Sequence, residues 1–139
     1  MDFSFSMFGA VGRLNGTLTR DQVRSLLGND FRDFTKTTFS LNTTDAFRLH
    51  DLHVFYDERD IVKGVEFFER STVSWQEHKL VGEKLSTLLD LFRRNGEHPD
   101  LNEDGFDVAK FGMRFYVPDL DDGEDALITT LYIVLRSES

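Results

Sequence analysis

Apolar residues recur with helical spacing near the start of the chain, over residues 19–27. The positions that share one face of this helix are Val23, Leu26 and Leu27. Thr19 is a favourable N-cap residue, and Gln22 completes a capping box three positions later. Gly28 is placed to end the helix in a left-handed conformation. The pattern therefore predicts a short helix with well-defined ends.

The same apolar pattern returns later in the chain at an offset of 62 residues. The matching pairs are Val11 and Val73, Leu18 and Leu80, Val23 and Leu85, Leu26 and Leu88, and Leu27 and Leu89. A second helix is predicted from Leu85 to Phe92, with Arg93 and Arg94 in its last turn and Gly96 at its end. The repeated pattern predicts a tandem repeat.

Two further segments alternate apolar and polar residues and share one irregularity. Their apolar positions match at an offset of 59: Phe47, Leu49, Leu52, Val54 and Tyr56 with Phe106, Val108, Phe111, Met113 and Phe115. In both segments the alternation slips after the second position, which indicates a bulge or a tight turn. An acidic turn and another strand follow each segment, over residues 61–68 and 127–135. The last strand is apolar on both faces, which favours a central place in a sheet.

The remaining segments are less regular. Phe3, Phe5 and Met7 predict a short edge strand or a docked arm, and residues 72–75 predict a short strand. Phe31 and Phe34 fit either a second helical segment or a loop anchored on the core. The threonine-rich run over residues 35–41 alternates and predicts a strand.

These elements predict an α+β fold of two tandem α-β-β-β units, forming one antiparallel sheet with both helices packed on one face. The two units span residues 11–70 and 73–136 approximately. Because no Pro-, Gly- or Ser-rich linker separates them, we expect residues 1–139 to form a single domain. The 14 Phe residues supply a large apolar core for this length.

Composition restricts the classes of partner. The net charge of −9 disfavours nucleic acid and anionic membranes, which both require clustered Lys and Arg, and it favours a basic protein partner. The absence of Cys excludes disulfides, thiolate zinc sites and a cysteine nucleophile, and it is compatible with the cytoplasm. The N-terminal residues lack the features of a secretory signal, and no apolar run is long enough to span a bilayer. We therefore expect a cytoplasmic protein without a membrane partner.

The segment from Gly16 to Asp30 resembles the opening of small lipoprotein-type domains of the bacterial outer-membrane assembly machinery. Those domains look like half of the β-lactamase-inhibitor protein fold, which is itself a tandem of two such units. The inhibitor's cysteines and secretion signal and the lipid-attachment cysteine have no counterpart here. Separately, residues 65–68, the leucine-rich helix and the Gly-Phe and Phe-Gly-Met segments after it resemble small bacterial immunity proteins. Both resemblances imply a role in protein binding.

One predicted sheet face is the main candidate for a binding surface. If the apolar positions of the slipping strands point at the helices, the opposite face carries His53, Phe55, Glu66, Phe68, Arg114, Tyr116, Thr130 and Tyr132. Aromatic residues mixed with Arg are typical of interface hot spots. The alternative is that the N-terminal arm or a second copy of the chain covers this face.

Two acidic segments are candidate sites. Asp121, Asp122 and Glu124 lie in a dense acidic run that is either a solvated hairpin tip or a contact for a basic partner. Asp100, Asn102 and Asp104 match the start of a calcium loop, but the position that needs a bidentate carboxylate is Phe111. An acidic loop with a turn glycine is the favoured interpretation, and no metal or cofactor is predicted.

Taken together, these observations predict an intracellular protein-binding module of the inhibitor or immunity type that occludes a basic protein partner. The alternative is a homodimeric structural or small-ligand-binding domain. A small hydrolase or metal-dependent enzyme is a third hypothesis. The chain has no recognisable nucleophile, phosphate-binding or zinc motif, so we predict no catalytic residue.

Overall fold

The computed structural model describes residues 1–137, with the exception of the side chain of Glu124. These residues form a mixed α+β fold with two α-helices, α1 (Arg20–Leu27) and α2 (Leu85–Arg94). The strands are β1 (Phe3–Phe5), β2 (Ala10–Val11), β3 (Leu14–Asn15), β4 (Phe31–Phe34), β5 (Thr44–Phe47), β6 (Leu52–Tyr56), β7 (Val62–Phe68), β8 (Val73–Trp75), β9 (His78–Lys79), β10 (Asp100–Asn102), β11 (Gly105–Val108), β12 (Met113–Tyr116) and β13 (Thr130–Val134).

The main sheet has eight antiparallel strands in the order β10-β11-β12-β13-β7-β6-β5-β4. Its centre is the pair β13 and β7, in which Leu131 lies opposite Phe67. The predicted central position of the last strand is confirmed. Leu131 and Phe67 are fully buried, and each of the two strands is paired along both of its edges.

The prediction of one sheet is wrong, because a second, five-stranded sheet has the order β3-β2-β1-β8-β9. In it, β1 is an inner strand that runs parallel to β8. Both Phe side chains of β1 are buried: Phe3 lies 5.5 Å from the ring of Phe67, and Phe5 lies 5.1 Å from the ring of Phe111. The rings of Phe3 and Phe5 are buried because the second sheet packs over the main sheet at these contacts. As an edge strand of the main sheet, β1 would leave part of each ring exposed.

The buried side chains of both helices, including Val23 and Leu88, belong to one apolar core together with the buried side chains of the main sheet. The capping box of Thr19 and Gln22 is present. Gly28 has φ 100° and ψ −176°, so it has positive φ but is not in the left-handed helical region that we predicted. At the end of α2, the Glu97 N–H bonds to the Phe92 carbonyl at 2.9 Å, next to Gly96 with φ 79°.

The predicted slips in the strand pattern are tight turns. Short 3₁₀ segments, Arg48–His50 and Ala109–Phe111, join β5 to β6 and β11 to β12. Each segment is followed by a left-handed residue, Asp51 with φ 53° and Gly112 with φ 69°. Each predicted irregular strand is therefore an antiparallel pair of strands, and each helix is followed by four strands of the main sheet instead of the predicted three.

The predicted strand over residues 35–41 is also wrong, because this segment is a loop between β4 and β5. Its hydroxyl side chains form turn hydrogen bonds in place of a strand: the Thr37 N–H donates to Ser40 Oγ at 3.1 Å, and the Phe39 N–H donates to Thr37 Oγ1 at 3.2 Å. Phe31 and Phe34 begin and end β4, so neither alternative offered for them is correct.

Within residues 1–137, no helix is both long and apolar enough to cross a membrane.

Candidate partner-binding face

The side of the main sheet that points away from the helices is called the open face here. One row across it is set by strand pairing: His53 lies opposite Glu66, Glu66 opposite Tyr132, and Tyr132 opposite Arg114. A second row contains Phe68, Thr130 and Tyr116 in the same order of strands. Phe55 lies two residues after His53 on β6 and therefore points to the same side. The structure thus brings together all the sheet residues predicted for the binding surface.

The aromatic side chains of the open face support one another. The ring of His53 meets that of Phe68 edge-on at 4.6 Å, and the ring of Phe55 meets that of Tyr132 at 5.5 Å. The Arg114 guanidinium lies 5.8 Å from the Tyr132 ring centre. Phe68 and Tyr132 remain partly exposed, whereas Phe55 is only 8% exposed. The face therefore offers fixed aromatic surface, which loses little conformational entropy on binding.

Gly64 on β7 explains how Tyr132 is placed. A Cβ atom built on Gly64 would overlap the Tyr132 hydroxyl and ring. The Tyr132 ring therefore lies over Gly64 of the neighbouring strand, in space that the Cβ of any other residue at position 64 would fill.

Glu66 lies near the centre of the open face and has two cationic or ionisable neighbours. Its carboxylate lies 3.6 Å from His53 Nδ1 and 3.6 Å from Lys36 Nζ. Burial by itself raises the pKa of Glu66, but the hydrogen bond from His53 and the charge of Lys36 outweigh burial and hold the pKa below its ordinary value. Lys36 also lies 4.6 Å from the centre of the Phe55 ring. Sequence reasoning missed Lys36 because it lies in the loop that was predicted to be a strand.

The end of the open face that contains β10 to β12 is acidic. Burial raises the pKa of Tyr116; Arg114 opposes this shift, whereas the carboxylates of Glu66, Asp107 and Asp104 add to it. The negative charge of several carboxylates therefore surrounds the partly buried Tyr116 side chain, and it would attract a cationic group of a partner.

The acidic connection between β12 and β13 does not extend this face. Asp121 and Asp122 are exposed in the segment Leu120–Asp125, which packs against α2 on the core side of the sheet. The Asp125 carboxylate lies 3.3 Å from Lys84 Nζ, immediately before α2. The side chain of Glu124 lies outside the described part of the structure. The predicted surface therefore divides into two separate regions, because the helix-side packing of this connection could not be read from strand alternation.

The segment considered as a calcium loop is a β-hairpin. Asp100 pairs with Asp107 and Asn102 pairs with Gly105, while Asn102 Oδ1 accepts the Asp104 N–H at 2.9 Å. Strand pairing holds the segment extended, so it does not wrap around a central point as a calcium loop does. Residues 1–137 contain no group of three or more His, Asp or Glu side chains placed to hold a metal ion.

Sequence reasoning also missed a buried ion cluster beneath α1. Asp45 on β5 is completely buried and accepts hydrogen bonds from Arg20 Nη1 at 2.9 Å, Arg24 Nε at 2.9 Å and the Tyr56 hydroxyl at 3.0 Å. Arg24 also donates Nη2 at 2.8 Å, so its contact with the carboxylate is bidentate.

The surroundings of the cluster favour a charged Arg24 and a neutral Tyr56. The hydrogen bond to Asp45 raises the pKa of Arg24 against the opposing effect of burial, and burial together with Asp45 raises the pKa of Tyr56. Arg20 reaches further, donating to Asn42 Oδ1 at 2.9 Å and to Asp60 Oδ1 at 3.2 Å. The cluster therefore fastens α1 to the end of the 35–43 loop and to the turn between β6 and β7.

A signal for this cluster is present in the sequence. Arg20 and Arg24 lie at i and i+4 and in phase with Val23 and Leu27, so they occupy the apolar face of the helix. Two cations on a buried face require a buried anion, and Asp45 is the acid within a strand of otherwise neutral residues.

No protein-family model, curated protein or solved structure matches this chain. The resemblances described above therefore stay predictions.

Proposed function

We propose that this protein is a protein-binding module of the inhibitor or immunity type that covers a functional surface of a basic protein with its open face. The observation that supports this proposal most directly is the arrangement of Phe68, Tyr116, Tyr132 and Arg114 on one side of the sheet. Partly exposed aromatic and arginine side chains at the centre of a surface are the residue types that dominate interface energies.

Charge favours a basic partner. The chain has a net charge of −9, and the acidic end of the open face groups Asp104 and Asp107 around Tyr116. Complementary charge increases the rate of association and excludes acidic competitors. The acidic connection Leu120–Asp125 packs against α2, so we assign to it the long-range attraction of a basic partner.

The proposal includes a cytoplasmic location and a tandem architecture of two units, each with one helix followed by strands of the main sheet. The matching 3₁₀ turns and the symmetric strand order, in which each helix is followed by one half of the main sheet, support the tandem architecture. The lack of Cys is compatible with the location.

The experiment is a tagged pull-down from the native host at low and high salt, followed by titration calorimetry with the purified partner. A double variant, Phe68→Ala with Tyr116→Ala, removes exposed aromatic surface and leaves the core unchanged. We expect it to weaken binding about tenfold or more, because these side chains are the proposed hot spot. Leu49→Ala is the matched control, since Leu49 is 76% exposed in the first 3₁₀ turn.

The proposal is contradicted if the double variant and the Leu49 control bind equally well, or if the partner recovered is acidic. Light scattering on the purified protein distinguishes the alternative hypothesis of a homodimer from the proposed binding of a different protein. A stable dimer that the double variant dissociates would show that a second copy of the chain occupies the open face.

A further inference from the structure

The connection between β4 and β5, the 35–43 loop, presents two large apolar side chains to solvent. Phe39 is 90% exposed and Leu41 is 74% exposed, and Phe39 is the most exposed large apolar residue within residues 1–137. An isolated exposed apolar residue is common on protein surfaces. The significance of this pair therefore depends on how the loop that carries it is held.

The C-terminal end of the loop is fixed by Asn42. Its Oδ1 accepts hydrogen bonds from Arg20 Nη2 at 2.9 Å and from the Thr43 N–H at 2.7 Å. Its Nδ2 donates to the Asp57 carbonyl at 2.8 Å. Arg20 is itself held by the buried carboxylate of Asp45, at 2.9 Å. The ion cluster beneath α1 therefore anchors this end of the loop.

The N-terminal end of the loop is fixed on the open face. Lys36 Nζ lies 3.6 Å from the Glu66 carboxylate and 4.6 Å from the centre of the Phe55 ring. Between the two ends, the Ser40 N–H donates to the Thr37 carbonyl at 3.1 Å and closes a turn. The hydroxyl groups of these two residues also take part in the turn. The loop is therefore preorganised, and ordering it on binding costs little conformational entropy.

The other half of the molecule shows that the backbone arrangement does not require this loop. The corresponding strands there, β10 and β11, are joined by the tight turn of Glu103 and Asp104. Beneath α2, apolar packing that includes Phe106 stacked on Phe115 at 4.4 Å takes the place of the ion cluster. The loop and the hydrogen bonds that anchor it are thus an addition to an arrangement that is complete without them.

Composition and charge favour a protein as the molecule that binds the loop. Residues 34–44 contain one Lys and no Asp or Glu, so the loop presents apolar side chains without a carboxylate beside them. An apolar pocket in a protein accepts an aromatic side chain of this kind. An anionic bilayer, in contrast, repels a chain with a net charge of −9. Because Lys36 contacts the open face, one protein can reach both the loop and that face.

We propose that the 35–43 loop is a second contact for the protein partner and that Phe39 inserts into an apolar pocket of that partner, with Leu41 packing beside it. This inference rests on the proposed function for the existence of a protein partner. It assigns the apolar anchor to a segment outside the strands of the open face. The Asp45 cluster then contributes to binding as well as to stability, because it holds the loop in place.

The test is titration calorimetry with the partner that is purified from the native host by pull-down. Phe39→Ser removes a ring that is outside the core, and we expect binding to weaken about tenfold or more because the apolar area of the ring is no longer buried. Leu49→Ser is the matched control, since Leu49 is 76% exposed in the 3₁₀ turn between β5 and β6. We expect it to bind as the wild type does. Circular dichroism verifies that both variants are folded.

Photocrosslinking shows whether the loop touches the partner. p-Benzoylphenylalanine at position 39 is expected to crosslink to the protein that the pull-down recovers, whereas the same residue at position 49 is not. Sedimentation with phosphatidylcholine vesicles tests a bilayer as the other apolar partner. Vesicle binding by the wild type that Phe39→Ser loses would show that the loop enters a membrane and would overturn the proposal.

The open-face double variant, Phe68→Ala with Tyr116→Ala, separates this inference from the proposed function. If Phe39→Ser binds the partner as the wild type does while the double variant is weakened, the proposed function stands and the loop inference is overturned. If Phe39→Ser is weakened and the double variant is not, the loop is a contact and the proposed role of the open face is contradicted. Recovery of no protein partner overturns both.

Discussion

The N-terminal half (residues 1–71) and the C-terminal half (residues 72–137) each contain one α-helix followed by four strands of the main sheet, but they fill the space beneath the helix differently. Matching backbone hydrogen bonds align the halves: the Arg20 N–H bonds to the Asp60 carbonyl at 2.9 Å, and the Leu85 N–H bonds to the Ala126 carbonyl at 2.8 Å. The N-terminal half has the ion cluster of Asp45 beneath its helix. The matching positions in the C-terminal half are apolar: Leu85 for Arg20, Leu89 for Arg24, Phe106 for Asp45 and Val117 for Tyr56.

The comparison teaches that the backbone arrangement does not require the ion cluster. In the C-terminal half, Phe106 stacks on Phe115 at 4.4 Å and contacts Phe92 at 6.1 Å. This packing fills the equivalent space without a charge. The cluster instead serves features found in the N-terminal half, because Arg20 holds Asn42 at the end of the 35–43 loop. The equivalent connection in the C-terminal half is the tight turn of Glu103 and Asp104.

The largest effect is expected from breaking the cluster. Asp45→Ala removes the buried carboxylate that binds the buried Arg20 and the half-buried Arg24, and we expect a loss of about 3 kcal/mol in the free energy of unfolding. The measurement is urea unfolding followed by circular dichroism. The triple variant Arg20→Met, Arg24→Leu, Asp45→Leu makes the N-terminal half resemble the other, and we expect it to recover most of that loss. A triple variant less stable than Asp45→Ala would contradict the comparison.

The next effect concerns the left-handed residues after the 3₁₀ turns. Gly112→Ala is expected to cost about 2–3 kcal/mol, because its φ is 69° and a Cβ would press on the Phe8 ring and the Val134 carbonyl. Asp51→Ala, at the matching position, introduces no new Cβ and loses the hydrogen bond to the Arg70 N–H and the exposed ion pair with the Arg70 side chain at 3.6 Å, so we expect a smaller loss of about 1 kcal/mol. Thermal unfolding of both variants checks the order, and equal losses would show that the two turns are not different in packing.

A smaller effect is expected on the open face. Gly64→Ala displaces Tyr132, and we expect a loss of about 1–2 kcal/mol in unfolding free energy. Thr130 occupies the matching position in β13, where a side chain is already accommodated, so Thr130→Ala should change stability by less than about 0.5 kcal/mol. Chemical unfolding measures both, and tyrosine fluorescence reports displacement of the ring. An unchanged Gly64→Ala protein would show that Tyr132 does not depend on the glycine.

The smallest effect is a pH dependence confined to the N-terminal half. Hydrogen bonds from Asn42 and Arg20 lower the pKa of Asp60 below its ordinary value. Because the folded pKa is lower than the unfolded pKa of about 3.9, the stabilisation is complete well above that pH and is lost as the pH falls through the folded pKa. Asp60 is half-exposed, so the effect is expected to be below about 1 kcal/mol.

Unfolding of the wild type and Asp60→Asn from pH 7 to acid pH measures this effect. The difference in stability should shrink as the pH falls below about 4. Asp122→Asn, at an exposed position in the other half, is the control for the loss of a surface carboxylate. A difference for Asp60→Asn that does not change with pH would contradict the assigned pKa direction.

The amino-acid sequence by itself determined the features that depend on neighbouring residues, such as helix caps and the alternation of side chains along a strand. The capping box set the start of α1, and alternation placed the residues of the open face together on one side of the sheet. The spacings of the apolar pattern, 62 and 59 residues, differ from the spacings between the corresponding structural elements. The helix N-caps Thr19 and Lys84 are 65 residues apart, not 62, and the residues after the 3₁₀ turns, Asp51 and Gly112, are 61 apart, not 59. A shift of three residues along a helix, or of two along a strand, leaves a side chain on nearly the same face of that element. Hydrophobic periodicity therefore does not reveal such a shift.

Only the tertiary structure decided which faces meet. The second sheet depends on Phe3 and Phe5 packing against residues far along the chain, and no local pattern encodes that contact. The neutralisation of Arg20 and Arg24 likewise requires Asp45 to arrive from another strand. Local periodicity specifies the orientation of each side chain, whereas long-range packing and register specify its neighbours.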